Sequence, residues 1–336
     1  MSLPELTFFC ELESQALDDL IQPAIIQQLA QLHARLSLGL LDLSPQRAEV
    51  VRRLNRRGIP VIAWLLLPEE QGYWFNAGNH RQAAQRYQEF HAWAQAERLV
   101  FAGVGLDIEP DIHEFALLAR LPVSAGLRAL VRLFRIPAFR LARAAYRRLA
   151  QQIRRDGYPL ESYQYPLIQD DRLARSTALQ RAAGIVDVPV EREVWMLYTS
   201  LLRPKGVGVL ASYAIQAQAV ALGVTGGGVT AEGVPQPAPL SWDELARDLR
   251  LAYYSCDRLY LFSLEGCAQH GHLERLAQFT WDRPMMLPEE ARLEVDAWRG
   301  AVQSGLWVAS RLPLLTLAAL LGWVVGRRLH RRRKAA

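Results

Sequence analysis

Residues 100–110, VFAGVGLDIEP, form an apolar, glycine-rich run that ends in two acids and a proline. A run with so few polar residues is typical of a parallel strand, which is buried on both of its faces. Asp107 and Glu109 stand at the end of this predicted strand, immediately before Pro110. What these acids do depends on how many such strands the chain contains and how they are connected.

Strand-like runs of this kind recur along residues 1–282, and each is followed by a helical pattern. They lie at 6–12, 35–42, 60–68, 100–110, 159–167, 192–200, 224–233 and 258–266, with a helix expected over 206–222 before the seventh. Ser44 and Ser241 stand where helix N-caps are expected. Eight strand–helix units predict an α/β fold, a (β/α)8 TIM barrel. A doubly wound open sheet is the alternative, but no G-x-G-x-x-G follows the first strand.

The composition is that of an ordinary globular protein, with 336 residues, 51% of them apolar and 22% charged, and a net charge of +5. Cys10, Cys256 and Cys267 are far apart, which indicates neither a disulfide framework nor a zinc site. The histidines do not cluster at strand ends. We therefore expect no metal, no cofactor and no nucleic-acid partner.

The C-terminal residues differ from the rest of the chain. Residues 312–326, LPLLTLAALLGWVVG, carry no charge, and RRLHRRRK follows directly. Extended back to Leu306, this run predicts a single-pass transmembrane anchor over 306–326, after a linker at 283–305 and before a basic tail at 327–336. A buried core helix is the alternative. No signal peptide is visible, so we expect a membrane-associated protein with its barrel on the cytoplasmic face.

Residues 111–157 are long for one strand–helix unit and are predicted to contain an inserted basic helical segment after strand 4. Arginines recur through 124–150, and Pro137 is expected to divide the segment into two helical stretches. One interpretation is a helix that lies on an anionic membrane. The other is a solvated arginine face whose apolar side packs on the barrel.

Acids mark the ends of several predicted strands. In a (β/α)8 barrel the active site lies at the carboxyl ends of the strands. Asp107 and Glu109 are two residues apart, so both side chains should point into the barrel mouth. Two neighbouring carboxyl groups raise the pKa of one of them towards neutrality, as a general acid requires. The alternative is a pair of acids bound to nearby arginines.

The loop after the third strand, QGYWFNAGN, mixes aromatic residues with amides, a combination suited to sugar rings and their hydroxyl groups. Together with the acids it predicts a carbohydrate-binding cleft. The residues expected to bind substrate are Glu11, Asp42, Trp64, Tyr73, Trp74, Asn76, Tyr163, Met196 and Glu265.

The fourth strand resembles that of glycoside hydrolase family 18, whose pattern is D-G-x-D-x-D-x-E. Gly103, Asp107 and Glu109 match it, while Ala102 and Gly105 replace its other two aspartates. WMLYTS is similar to the sixth-strand M-x-Y-D of that family, with Met196 and Tyr198 matching and Thr199 in place of the aspartate. The resemblance implies Glu109 as general acid, Asp107 as the residue that orients a substrate N-acetyl group, and Tyr198 as a donor to that group.

Two other families of barrels share parts of this pattern. Family 25 lysozyme-type barrels carry a similar fourth-strand D-x-E, and Glu109-Pro110 resembles the Asn-Glu-Pro of the large retaining-glycosidase clan, which would make Glu232 the nucleophile. All three resemblances imply Glu109 as the acid. We expect hydrolysis of a glycosidic bond. The alternatives are a non-catalytic glycan-binding barrel and a metal-dependent phosphodiesterase using Glu11, Asp42, Asp107 and Glu109.

Overall fold

The computed structural model describes residues 3–114, 117, 121–229 and 238–334, with side chains up to Arg311. Eight parallel strands pair in chain order, and β1 also pairs with β8, so the sheet closes into a barrel. The strands are β1 Glu5–Cys10, β2 Arg35–Leu40, β3 Val61–Leu65, β4 Gly103–Ile108, β5 Leu160–Gln164, β6 Arg192–Met196, β7 Ala219–Gly223 and β8 Arg258–Phe262. The predicted (β/α)8 TIM barrel is confirmed.

Helices surround the barrel and cover its outer face. They are α1 Ser14–Leu20, α2 Pro23–Gln31, α3 Pro45–Arg56, α4 His80–Ala96, α5 Pro122–Phe134, α6 Ile136–Arg155, α7 Leu167–Leu173, α8 Ala178–Ala183, α9 Gly206–Tyr213, α10 Trp242–Tyr253, α11 Leu264–Gln269, α12 His272–Ala277 and α13 Glu289–Lys334. Both predicted caps form: Ser44 accepts a hydrogen bond from the Arg47 N–H, and Ser241 makes a capping box with Glu244.

The strands are apolar on both faces because each face meets a different part of the core. Outward side chains such as Leu36, Leu38 and Leu40 pack under the helices. Inward side chains form a second cluster in the barrel interior. Its centre is aromatic: the Phe9 ring lies 4.7 Å from that of Tyr163 and 5.5 Å from that of Tyr260. This aromatic layer separates the mouth, where the strands end, from the floor, where they begin.

The position of the seventh strand was predicted incorrectly. The strand is Ala219–Gly223 and not 224–233, and the helix expected over 206–222 is the shorter α9 followed by a 3-10 turn at Ala214–Gln216. Residues 226–228, the glycine triplet, lie in the loop after β7, where all three have positive φ angles. Since only glycine adopts such angles readily, the triplet indicates a loop rather than a strand.

The insertion after β4 forms the two predicted helical stretches, α5 and α6. Pro137 lies in the first turn of α6, where its missing N–H leaves no helical hydrogen bond unmade. Helix α6 packs against α4 and serves as the barrel helix of this unit, whereas α5 is additional.

Helix α13 packs along α9 and runs in the same direction. Near the start of α9, Lys205 pairs with Glu294, and beyond its end Gln216 accepts a hydrogen bond from Arg299. Arg299 is buried, lies 3.7 Å from the Tyr213 ring centroid and pairs with Asp170 at 3.1 Å. Since α9 leads from the mouth towards the floor, the continuation of α13 leaves the barrel at the floor.

Among the residues that the structure describes, no helix has the length and apolar character needed to cross a bilayer. The predicted anchor over 306–326 lies mostly outside the residues whose side chains the structure describes, which end at Arg311. It therefore stays a prediction from the sequence.

Candidate active site

Asp107 and Glu109 lie side by side at the mouth of the barrel, as their spacing predicts. Asp107 is the last inward residue of β4, and Glu109 follows the strand directly. Both are buried, with exposed fractions of 2% and 8%. Asp107 Oδ1 is buried and has no hydrogen-bond partner among the described residues. The charge of Glu109 acts on Asp107, which disfavours ionisation of both acids at once.

Neighbouring side chains hold each acid in place. The Trp64 indole N–H donates to Asp107 Oδ2 at 3.0 Å, and the Tyr165 hydroxyl donates to Glu109 Oε2 at 2.6 Å. Burial raises the pKa of Glu109 to about 7, although the hydrogen bond from Tyr165 lowers it. Burial and the charges of Glu109 and Glu11 raise the pKa of Asp107 well above its usual range. The pair therefore retains a proton near neutral pH.

Glu11, at the end of β1, faces the same mouth. Its Oε1 accepts a hydrogen bond from the Tyr73 hydroxyl at 2.7 Å, and its Oε2 accepts one from the Val229 N–H at 3.1 Å. Burial raises the pKa of Glu11 to about 8 despite the Tyr73 hydrogen bond, and the charge of Glu265 adds to this. Tyr73 adopts a left-handed φ of 61°, a strained conformation for a bulky side chain of the kind found at functional sites.

Glu265, at the start of α11, completes the group of acids. Its Oε1 accepts from the Glu11 backbone N–H at 3.4 Å, and burial raises its pKa. The loop after β7 lies directly over this pair, since a Cβ added to Gly227 would stand 2.5 Å from Glu265 Oε1. A side chain at position 227 would overlap the Glu265 carboxyl group, so glycine lets the loop lie this close.

The mouth carboxylates are Glu11, Asp107, Glu109 and Glu265. Within the described residues, no arginine, lysine or histidine forms a salt bridge with any of them. Their partners are instead hydroxyl, indole and backbone donors. The expected alternative, an acid pair bound to arginines, is therefore not what the described part of the mouth contains.

Aromatic rings line the same opening. Tyr198 follows β6 and lies 5.8 Å from the ring of Phe262, which is 6.3 Å from Trp64. Burial and the charges of Glu109, Asp107 and Glu11 raise the pKa of Tyr198 well above its usual value, so its hydroxyl stays protonated. On the opposite side of the mouth, the half-buried Trp74 packs edge-on against Tyr73 at 5.4 Å.

Two predicted substrate-binding residues lie deeper. Met196 ends β6 as a buried member of the inner cluster. Tyr163 lies beneath the acids, and its hydroxyl is 2.7 Å from Ser37 Oγ. A Cβ added to Gly105 would stand 2.3 Å from that phenol oxygen. The Tyr163 side chain thus occupies the space that an aspartate at position 105, as in the family 18 pattern, would need.

Asp42 and Asn76 are not part of the mouth cluster. Asp42 pairs with the fully buried Arg47 at 2.9 Å and accepts hydrogen bonds from Ser14 Oγ and the Ser44 N–H. Burial alone would raise the pKa of Asp42, but Arg47 and both serines hold it well below its usual value. Asn76 bonds to the Gly78 N–H and to the Trp74 carbonyl, which shapes its own loop. Both side chains bind groups near them in the fold, and their part in substrate binding stays a prediction.

The remaining sequence expectations concern Thr199 and Glu232. Thr199, at the position of the family 18 sixth-strand aspartate, donates its hydroxyl hydrogen to Asp248 on α10, so its hydroxyl bonds to the helix layer and not to the mouth acids. Glu232, the nucleophile implied by the Asn-Glu-Pro resemblance, lies outside the described residues.

Sequence reasoning missed Tyr165, Phe262 and Val229. The alternation of β5 could have identified Tyr165, because it follows the inward Tyr163 by two residues and so points the same way. The other two carry no such pattern, since Val229 acts through its backbone N–H in a loop placed by three glycines.

Nothing in the described part of the chain brings three or more histidine, cysteine, aspartate or glutamate side chains into an arrangement that could hold a metal ion. The metal-dependent alternative therefore gains no support from these residues.

No protein-family model matches the chain, and no curated protein matches it either. Solved structures share the barrel. An exo-β-1,4-mannosidase from Opitutaceae bacterium strain TAV5 has 12% identity and a TM-score of 0.44, over 77% of this chain and 51% of its own, so this chain spans about half its length. The β-amylase catalytic domain from Paenibacillus polymyxa has 7% identity and a TM-score of 0.45, over 85% of this chain and 100% of its own.

A xylose isomerase-like TIM barrel protein from Mycobacterium smegmatis, solved with magnesium, has 13% identity and a TM-score of 0.42, over 83% of this chain and 96% of its own. At these identities and TM-scores, none of the three likenesses carries an argument about reaction or substrate. Function must be argued from the mouth itself.

Proposed function

We propose that this barrel hydrolyses a glycosidic bond in a glycan or polysaccharide, with Glu109 as the general acid and Asp107 assisting it. The observation that carries the proposal is the buried pair of Asp107 and Glu109, which forms no salt bridge with a described residue. A carboxyl group that is still protonated near neutral pH is what protonation of a leaving sugar oxygen requires.

In the first step, the protonated Glu109 donates to the glycosidic oxygen while the bond to the anomeric carbon breaks. The bonding electrons leave with that oxygen, and positive charge develops on the sugar. Glu109 is then a carboxylate, and the Tyr165 hydroxyl, which donates to it at 2.6 Å, stabilises this form. General acid catalysis of this kind contributes roughly 10²–10⁴-fold.

For the second step we propose the substrate-assisted route that the family 18 resemblance implies. The carbonyl oxygen of a substrate N-acetyl group bonds to the anomeric carbon, Asp107 accepts a hydrogen bond from the acetamido N–H, and Tyr198 donates to the carbonyl oxygen. Water then attacks the anomeric carbon while the bond from that carbon to the acetyl oxygen breaks, and the electrons of that bond return to the acetamido group. The attacking water gives a proton to Glu109, which restores the acid. The Trp64 N–H keeps Asp107 oriented for this role.

The remaining mouth residues suit a sugar ring. Glu11 and Glu265 present oxygens to hydroxyl groups, and the rings of Tyr73, Trp74 and Tyr198 present apolar faces. Concave sites that combine aromatic walls with a few fixed polar groups are typical of small-molecule recognition.

The test is chromophore release from a panel of aryl glycosides that includes N-acetylglucosaminides. The parent is compared with Glu109→Gln and with a control, Glu89→Gln, which removes an exposed acid from α4. We expect release by the parent and the control and its loss in Glu109→Gln. Equal release by Glu109→Gln would contradict the proposal. No release by any of the three, with unchanged glycan affinity in Glu109→Gln, would favour the glycan-binding alternative.

From the sequence, we also propose that residues 306–326 tether the protein to a membrane, with the barrel on the cytoplasmic face. Membrane fractions washed with carbonate should retain the full chain and release a chain that ends at Gly305. Retention of both chains would contradict this assignment.

A further inference from the structure

Helix α5 carries an apolar stripe that faces solvent. Val123, Leu127, Leu130 and Phe134 recur at the spacing of one helical face, and their exposed fractions are 77%, 59%, 50% and 76%. A surface helix normally turns its apolar stripe towards the protein core. In α5 the buried residue is Ala125, so the larger apolar side chains point outward.

Arginines border this stripe. Arg128, Arg132 and Arg135 line a cavity of about 480 Å³ together with Glu114, Val131 and Leu127, the last of which belongs to the stripe. Glu114 pairs with Arg132 at 3.1 Å and with Arg128 at 3.6 Å. Residues 121–155 contain many arginines and no aspartate or glutamate, so the exposed apolar stripe lies in a strongly positive surface.

The stripe belongs to the rim of the barrel mouth. Arg132 Nε donates to the Ala182 carbonyl of α8 at 3.0 Å, and Arg181 donates to the Leu133 carbonyl. Glu114, which pairs with Arg132 of α5, lies a few residues after Glu109 in the chain. Helix α5 therefore lies beside the opening, whereas α13 leaves the barrel at the floor.

We propose that α5 docks on an anionic lipid surface, with its apolar stripe among the acyl chains and its arginines at the phosphate groups. A helix with apolar residues on one side and arginines beside them is suited to the boundary between headgroups and acyl chains. An anionic polysaccharide would pair with the arginines but would leave the stripe in water. A second copy would place two arginine-rich surfaces together, which like-charge repulsion disfavours.

Docking through α5 brings the barrel mouth to the headgroups. The docking itself does not depend on the proposed hydrolysis. It also differs from the predicted anchor, which would attach the chain from the floor side. Binding of the full chain to vesicles would not distinguish these two contacts, so the measurement must report on α5 alone.

The three native cysteines are buried, with exposed fractions of 7% or less, so an introduced surface cysteine can be labelled selectively. Full-length Phe134→Cys and a control, Ile215→Cys, would carry an environment-sensitive fluorophore. Ile215 is also apolar and exposed, at 60%, but it lies beyond α9 towards the floor. Each protein is mixed with phosphatidylcholine vesicles, with or without phosphatidylglycerol.

We expect a blue shift at position 134 with vesicles that contain phosphatidylglycerol, quenching by brominated acyl chains, and no such change at position 215. Adding Arg128→Glu and Arg135→Glu should raise the lipid concentration needed for the shift at least about tenfold, because docking depends on attraction to anionic lipid. A control with the same charge change, Arg57→Glu and Arg258→Glu, should leave it unchanged.

Several results would overturn the proposal. One is an unshifted probe at position 134, whether or not the chain sediments with the vesicles. Another is a shift that grows with protein concentration in the absence of lipid, which would indicate a second copy. A third is a shift caused by polygalacturonate alone, which would indicate an anionic glycan.

Discussion

Both ends of the barrel contain acidic residues, but the groups that bind these acids differ. At the floor, Glu161 pairs with Arg35 at 3.2 Å and with Arg192 at 3.5 Å, and it accepts the Tyr260 hydroxyl hydrogen at 2.7 Å. Both arginines also bind Glu5. At the mouth, the carboxylates meet hydroxyl, indole and backbone donors, with no salt bridge to a described residue.

The two ends differ in the charges around their acids, and Glu5 at the floor is also more exposed than Asp107 and Glu109 at the mouth. Burial alone would raise the pKa of Glu5, but Arg192 and Arg35 bring it below its usual value, so this floor acid is ionised and serves packing. At the mouth nothing offsets burial fully, and the pKa of Glu109 rises to about 7. Acids that stay protonated near neutral pH can transfer protons. The floor acids therefore take part in ion pairs, and the mouth holds the groups to which we assign the proposed reaction.

The largest expected effect comes from removing one acid at each end. Glu109→Gln should lower the hydrolysis rate roughly 10²–10⁴-fold without destabilising the fold. Glu161→Gln should keep the hydrolysis rate per folded molecule. It should lower the free energy of unfolding by about 3 kcal/mol, because the Arg35 and Arg192 side chains lose the negative charge of the buried Glu161. Steady-state hydrolysis and urea unfolding measure the two effects. Equal loss of activity in both variants would remove the distinction.

A smaller effect is expected from glycine substitutions inside and outside the barrel. Gly105→Ala should destabilise the fold by roughly 1–3 kcal/mol, since the new methyl group would overlap the Tyr163 phenol in a filled interior. Gly126→Ala on α5 meets open space and should stabilise by about 0.5–1 kcal/mol through helix propensity. Thermal and urea unfolding of both variants provide the comparison. A neutral Gly105→Ala would mean that Tyr163 can move and that position 105 tolerates a side chain.

The pH dependence of stability should have opposite signs at the two ends. The pKa values of Glu109, about 7, and Glu11, about 8, exceed the ordinary 4.5, so their contribution is full below pH 4.5 and is lost as the pH rises through 7 to 8. The pKa of Glu5 is lowered, so its contribution is present above 4.5 and is lost as the pH falls.

Urea unfolding over this pH range measures both slopes. Glu109→Gln should reduce the decline between about pH 4.5 and 8 by about 1–3 kcal/mol, and Glu5→Gln should reduce the decline at acid pH. If the free energy of unfolding changed with pH in the same way for the parent and both variants, the two ends would not differ in how their acids ionise.

The smallest expected effect concerns Tyr165. Tyr165→Phe removes the hydroxyl group that donates to Glu109 Oε2. Because this hydrogen bond lowers the pKa of Glu109, that pKa should rise in the variant. The alkaline limb of the rate profile, where the acid loses its proton, should then move to higher pH, with a modest fall in the maximal rate. Tyr87→Phe, which removes a hydroxyl bonded to Asp156 far from the mouth, should leave the limb in place.

Much of the fold could be predicted from the sequence because each strand and cap rests on local chemistry. Continuous apolar runs predict buried parallel strands, and serines at helix starts predict N-caps, as at Ser44 and Ser241. The prediction of the seventh strand failed because AVALG follows the helical pattern of α9 without a strong helix-stop signal, while the glycine triplet lies among β-branched residues. Local pattern alone could not separate a short strand from its loop.

The arrangement of the candidate site could be derived from the sequence best where it depends on one strand. Asp107 and Glu109 share a face because strand alternation requires it. Asp42 also ends a strand, yet the buried Arg47 from the next helix binds it. Asn76 has the right chemistry for a sugar, but its amide stabilises its own turn.

The sequence by itself determined a barrel of eight strands and placed acids at the end of the fourth. Periodic burial and hydrogen bonding within short segments are enough for that. Only the tertiary structure decided which acids remain without a cation, because the partners that set their protonation, Tyr73, Tyr165 and the Val229 N–H, come from distant strands and loops. Ionisation in a buried site depends on every neighbour at once, and closure of the barrel brings those neighbours together.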